Sequence, residues 1–294
     1  MSSAPSVLYD APGPKAKVRN TVYSVVFLLA LAVVVWFVIA ALNAKGQLTS
    51  KMWTPFVDGS TWTQYLIPGL GTTLLAAVLA IVIALPIGAV FGIARLSDHV
   101  WIRVPAGVLV ELFRAIPVLM LMLFSNFFYV WYTDISSDIR PLVAVVTGLV
   151  LYNGSVLAEV VRAGIASLPR GQSEAAYALG LRKTQTMVTI LLPQAVTVML
   201  PTIVSQLVVI VKDTALGSTI LSFSDLLSNY RILSANYGNT IPTLIVIGVI
   251  YVVVNWVVTR LAAMLERRMS RRGRSSAPPI KPSAIAVLPG GDAL

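Results

Sequence analysis

The stretch QSEAAYALGLRKTQTMVTILLPQA, residues 172–195, places an acid, a run of alanines, a glycine and two adjacent cations between long apolar runs. Such a segment is ill suited to lipid. The runs beside it, about 141–166 and 193–221, are long enough as helices to cross the roughly 30 Å hydrocarbon core of a bilayer. Ser173 is expected to N-cap a short helix, with Glu174 in its first turn at the positive end of the helix dipole. Ala175, Ala176 and Ala178 give that helix a low-relief surface, so that a partner's backbone can come close. Gly180 permits the left-handed residue that ends it. Leu179 and Leu181 offer apolar knobs, and Arg182 and Lys183 remain solvated. Thr184 is expected to cap the helix that leads through Ile190, Leu192 and Pro193 into the membrane.

The composition fits that reading. Hydrophobic residues make up 57% of the chain and charged residues 12%, with a mean hydropathy of +0.83. Soluble domains carry about 25% charged residues, so most of this surface faces lipid. Four further apolar runs, about 21–42, 65–94, 104–132 and 241–265, bring the number of expected spans to six. The fold class is therefore an all-α membrane protein with six transmembrane helices and no sheet. Residues 1–20 read as a polar, disordered tail and residues 269–294 as a basic, Pro/Ser-rich one. The run at 21–42 exceeds the roughly 7–15 residues of a signal-peptide core and reads as a retained anchor.

Net charge is +10, but the basic residues lie beside apolar runs or in the tails, so no nucleic-acid partner is expected. Of the 22 Lys and Arg, four (Lys45, Lys51, Arg140 and Arg231) fall on one side of the spans and two (Arg114 and Lys212) inside them; the other sixteen fall on the opposite side. Basic residues collect on the cytoplasmic side of membranes, which places both termini and the opening stretch in the cytoplasm. With no cysteine and a single histidine, His99, neither disulfides nor a thiolate or histidine metal cluster can form. No metal or other cofactor is expected.

Charged side chains inside membrane helices usually face a cavity or a partner. Glu111 and Arg114 are three residues apart, as are Glu159 and Arg162, so each pair can close a salt bridge on one helix face. Ser205 and Lys212 share one face seven residues apart, and Gln206 and Asp213 share another. Pro201 and Gly217 suggest an irregular helix there, as at many transport sites.

The order E-A-A, three residues, G, nine residues, I-L-L-P from Glu174 to Pro193 resembles the EAA loop of membrane subunits of ABC importers. ELFRAIPVLML (Glu111–Leu121), LAEVVRAGIASLPRGQSEAAYALG (Leu157–Gly180) and KDTAL (Lys212–Leu216) look like the polar amino-acid uptake branch of that family. The resemblance covers about 65–268, as a five-helix permease core, with the helix at 21–42 as an addition. It implies that the loop at 170–193 forms a cytoplasmic coupling helix, with Glu174, Ala175, Ala176 and Gly180 contacting an ATPase subunit. It implies a second permease subunit (the same or a related chain), an extracytoplasmic substrate-binding protein and a bacterial plasma-membrane location. In that family the region around 205–213 lines the amino-acid site. Lys212 is expected to hold the substrate carboxylate and Gln206 to read its side chain, with Ser205 and Asp213 alongside and Arg114 at the inner end of the path. A neutral Gln206 favours an acidic or amide amino acid such as glutamate or glutamine. No G-x-x-x-x-G-K-[ST] phosphate loop occurs, so ATP hydrolysis is expected on a partner and the chain itself is not an enzyme. The rival reading is a self-sufficient secondary transporter or channel driven by ion gradients.

Overall fold

The computed structural model describes residues 13–274, with side chains as far as residue 264. Among the described residues there are helices and no strand. The α-helices are α1 (Pro14–Ala44), α2 (Ser50–Trp53), α3 (Gly59–Thr61), α4 (Ile67–Ala94), α5 (Val100–Ala115), α6 (Val118–Tyr132), α7 (Arg140–Ala166), α8 (Arg170–Ala178), α9 (Lys183–Thr186), α10 (Leu192–Ile220), α11 (Asn229–Tyr237) and α12 (Thr240–Arg274). Five helical stretches are long and apolar enough to cross a membrane, and α5 with α6 forms a bent pair that brings the number to six if it is counted as one span.

Several boundaries differ from expectation. The first helix starts at Pro14 rather than Thr21, because proline lacks only an N–H that a first helical turn leaves unpaired anyway. What precedes residue 13 and follows residue 274 lies outside the described residues. The connection at 45–64 holds α2 and α3, and the second span already begins at Gly59. Two π-helical turns, Trp62–Leu66 and Met187–Leu191, each end two residues before a proline, Pro68 and Pro193. A proline cannot donate to the carbonyl four residues back, and a wider turn accommodates that carbonyl.

Contacts divide the described residues into two units, one running up to residue 65 with 230–246 and the other covering 66–229 with the residues from 247 onward. In the first, α1 has no buried residue. Gln47 Nε2 donates to the Gly238 carbonyl at 3.3 Å and Asn239 Nδ2 to the Met52 carbonyl at 3.0 Å, tying the loop after α1 to the start of α12.

The second unit is built around α7, the most buried of the long spans. Helices pack in lipid without a hydrophobic drive, so small residues let backbones approach. On α4, Ala76, Ala77, Ala80 and Ala84 are at most 1% exposed. A Cβ at Gly88 would stand 2.6 Å from Leu157 Cβ, and one at Gly92 2.7 Å from the Ala158 carbonyl oxygen. Glycine is what permits α4 and α7 to cross this closely. Met122, Val145, Leu149, Ile210 and Phe223 complete the core among α6, α7, α10 and the segment after α10. Outward positions such as Val78, Val82, Val90, Phe124, Val252 and Trp256 are exposed, the inverse of a soluble helix.

Beyond α10 lies a buried carboxylate. Asp225 is 0% exposed; its Oδ1 accepts the Ser228 N–H at 2.8 Å and its Oδ2 the Tyr251 hydroxyl at 3.2 Å. The adjacent Leu226 N–H donates to Thr73 Oγ1 at 3.1 Å, fastening this segment to α4.

Candidate functional site

The apolar run at 104–132 is not one straight span. Proline excludes its predecessor from the helical region, and Ile116 sits at φ −85°, ψ 128° before Pro117. The chain bends by 102° there. The elbow Arg114–Val118, Tyr152 and Val156 on α7, and Gln206, Val209 and Asp213 on α10 line a cavity of about 440 Å³. That lies within the roughly 300–1,000 Å³ of small-molecule sites.

The polar groups of this cavity are oriented by their neighbours. Asn153, fully buried, donates its Nδ2 to the Leu149 carbonyl at 2.9 Å, which leaves its Oδ1 to accept. Gln206 Nε2 therefore donates to Asn153 Oδ1, at 2.6 Å. The Gln206 carbonyl oxygen stays available to a ligand. Arg114 and Asp213 put opposite charges on different walls.

Of the five residues expected on the path, Arg114, Gln206 and Asp213 come together in this cavity, and Ser205 and Lys212 do not. Ser205 is exposed and its hydroxyl donates to the Pro201 carbonyl at 3.0 Å. Lys212 is exposed on the neighbouring helix face. The cation lining the cavity is therefore Arg114, not Lys212: adjacent residues on a helix point about 100° apart, and the elbow meets the Gln206–Asp213 face.

The expected bridge from Glu111 to Arg114 is not formed. Glu111 instead meets Arg95, on the connection from α4, at 3.1 Å. Arg95 also reaches Glu159 at 2.6 Å, Arg162 meets Glu159 at 2.5 Å, and Arg114 Nη1 stands 3.8 Å from the same carboxylate. Contacts between helices have overridden the local spacing. Glu159 becomes the common anion of three guanidinium groups, and Arg114 is its loosest partner.

Around the opening stretch, α8 begins at Arg170 after Pro169, so Ser173 is no N-cap and Glu174 is not in the first turn. Ser173 Oγ bonds back to the Arg170 carbonyl at 2.8 Å. The C-terminal end follows expectation: Gly180 has φ +80°, its N–H meets the Tyr177 carbonyl at 2.9 Å and the Leu181 N–H meets that of Ala176 at 3.1 Å. These two bonds form a Schellman turn. Glu174, Ala175 and Gly180 are exposed, while Ala176 is 1% exposed and packs against its own chain. Leu179 projects at 82% exposure. The cap of α9 is Arg182, whose N–H donates to Gln185 Oε1 at 2.9 Å, rather than Thr184. Lys183 forms an ion pair with Asp98 and donates to the Leu96 carbonyl at 3.0 Å. The Lys183 ammonium holds the Asp98 carboxyl below its usual range.

Arg95, Tyr152 and Asn153 were not singled out from the sequence. Asn153, a polar residue deep in an apolar helix, was the available signal; nothing in the loop around Arg95 distinguished it from a solvated cation.

The family described as binding-protein-dependent transport system inner membrane component matches residues 84–271. The chain is 45% identical over 234 residues to the glutamate transport system permease protein GluD of Corynebacterium glutamicum, covering 80% of this chain and 85% of that one. It is 31% identical over 209 residues to the probable glutamine ABC transporter permease protein GlnP of Bacillus subtilis, covering 70% and 94%. A solved structure, titled as a crystal structure of an amino acid ABC transporter with histidines, superposes with a TM-score of 0.64 at 28% identity, over 72% of this chain and 98% of that one.

Proposed function

The chain belongs to the binding-protein-dependent transport system inner membrane component family, as a permease of the ABC importer type, and on that premise we propose that it carries glutamate or glutamine inward across a bacterial plasma membrane. The observation that carries the substrate is the 45% identity, over most of both chains, to a glutamate transport system permease. The cavity supports it. Arg114 would hold the α-carboxylate, Asp213 the ammonium group, and the free carbonyl of Gln206 would accept a hydrogen bond from the side-chain amide of glutamine. Lys212 and Ser205, on the neighbouring face, belong to the path outside this cavity.

ATP is hydrolysed by partner subunits, which engage α8 through Glu174, Ala175, Leu179 and the Gly180 turn. Two permease subunits, identical or related, form the pore, and an extracytoplasmic binding protein delivers the amino acid. Both termini and α8 face the cytoplasm, following the basic residues. ATP binding can bias the outward–inward equilibrium only through contacts that differ between the two states, and the projecting surface of α8 is where those contacts fall.

The test is reconstitution of the complete complex in vesicles with labelled amino acids. Glutamate or glutamine, delivered by the binding protein, should stimulate ATP hydrolysis and accumulate only with ATP. Accumulation driven by an ion gradient through this chain alone would overturn the proposal, and stimulation confined to a cationic amino acid would overturn the substrate.

A further inference from the structure

Two sets of polar contacts, joined by the backbone between Arg95 and Leu96, lead from the α8–α9 loop to the cavity. Lys183, at the start of α9, holds both the Leu96 carbonyl and the Asp98 carboxylate in the turn after α4. That turn lies at the C-terminal, partially negative end of α4, where a cation is favoured. Arg95, the C-cap of α4 and one residue before Leu96, has a side chain only 12% exposed and bridges Glu111 on α5 to Glu159 on α7. Glu159 is in turn the carboxylate nearest Arg114, which lines the cavity.

The contact of α9 with the end of α4 is not tightly filled. A second cavity of about 410 Å³, lined by residues that include Ile93, Leu96, Ile102, Met187 and Leu192, lies beside Lys183. Side chains packed to ordinary interior density would lock the two elements together. Ile93 and Leu96, at and just after the end of α4, and Met187 and Leu192, after α9, pack partly buried against one apolar cluster of Val161, Ile165, Ala195 and Met199, and the two polar bonds of the Lys183 ammonium group span the open space left beside it.

We propose that Lys183 is a positioning residue for transport, the tie through which movement of the α8–α9 loop shifts the end of α4 and, through Arg95, the hold of Glu159 on Arg114. The inference rests on the importer reading above. Coupling needs an element with two arrangements that both sites bias. Lys183 supplies the difference, its two bonds being made in the arrangement described here and broken in the other. Because Lys183 and Asp98 are 40% and 75% exposed, the pair adds little to folding. Its loss should therefore appear in coupling rather than in assembly.

The experiment measures amino acid imported per ATP hydrolysed by the complete complex in vesicles, for the unaltered chain and for Lys183→Ala, Lys183→Arg and Asp98→Asn. Lys183→Ala should lower this ratio about fivefold or more, with KM for the amino acid unchanged and the complex assembled in normal amount. Lys183→Arg, which still donates to a carbonyl and a carboxylate, should restore it. Asp98→Asn, which keeps the Leu96 bond, should lower it only about twofold. A normal ratio in Lys183→Ala, poor assembly of that variant, or equal loss in Lys183→Arg would each overturn the inference while leaving the importer reading intact. If the unaltered complex imports nothing with ATP, the importer reading itself fails.

Discussion

Glu159 lies within 4 Å of Arg95, Arg114 and Arg162, with its own side chain 25% exposed. Removing it leaves three partly desolvated cations without their common anion. Glu159→Ala should cost about 2–3 kcal/mol of folding stability, somewhat less than for a fully buried pair. Glu111→Ala, with a side chain 71% exposed, should cost no more than about 1 kcal/mol. Unfolding of the detergent-solubilised protein compares the two, and equal losses would contradict the asymmetry. Asp225 makes a pH prediction. Burial pushes its carboxyl above the ordinary aspartate range, against the pull of the Ser228 and Tyr251 hydrogen bonds. A raised folded-state value means that the native protein binds the proton more tightly than the unfolded chain does. The stabilisation is full at low pH and is lost as pH rises through the raised value. The thermal stability of the unaltered protein, relative to Asp225→Asn, should therefore increase on acidification through that raised value. A difference independent of pH would refute this.

Among the elements, the elbow between α5 and α6 matters most to the site, since Arg114–Val118 form one wall of the cavity. Pro117→Ala frees Ile116 to adopt helical angles and lets the two helices run together. Uptake should fall on the order of tenfold or more, with normal membrane levels; unchanged uptake would show that the bend does not depend on the proline. This elbow also marks where sequence reading stops. Six spans were legible because lipid demands long apolar helices and hydropathy reports length and polarity. It does not report direction, so a run of the right length hid a 102° bend, although Pro117 was in plain sight. Helix ends behaved similarly. Gly180 was legible because its left-handed φ is a backbone requirement, whereas Ser173 as a cap lost to Pro169, which starts α8 earlier. The Glu111–Arg114 bridge failed for the opposite reason: a three-residue spacing permits a bond but cannot see Arg95 arriving from another helix. Heptad spacing grouped Gln206 with Asp213, but only the fold decides which face of α10 meets the cavity.

At the scale of the whole molecule, α1 stands apart, an apolar helix with none of its residues buried and outside the matched range 84–271. A chain lacking residues 1–44 should keep its melting temperature to within a few degrees, since α1 buries none of its residues, and should still assemble and import. A large drop would mean that α1 supports the fold. The second unit, by contrast, depends on the closeness of α4 and α7, where Gly88 and Gly92 leave no room for a side chain. That proximity should leave a trace in evolution. In an alignment of related permeases, positions 88 and 92 should both remain glycine, because the atoms that a side chain would meet there are the backbone of Ala158 and the Cβ of Leu157 and Val161, which no merely smaller side chain on α7 removes.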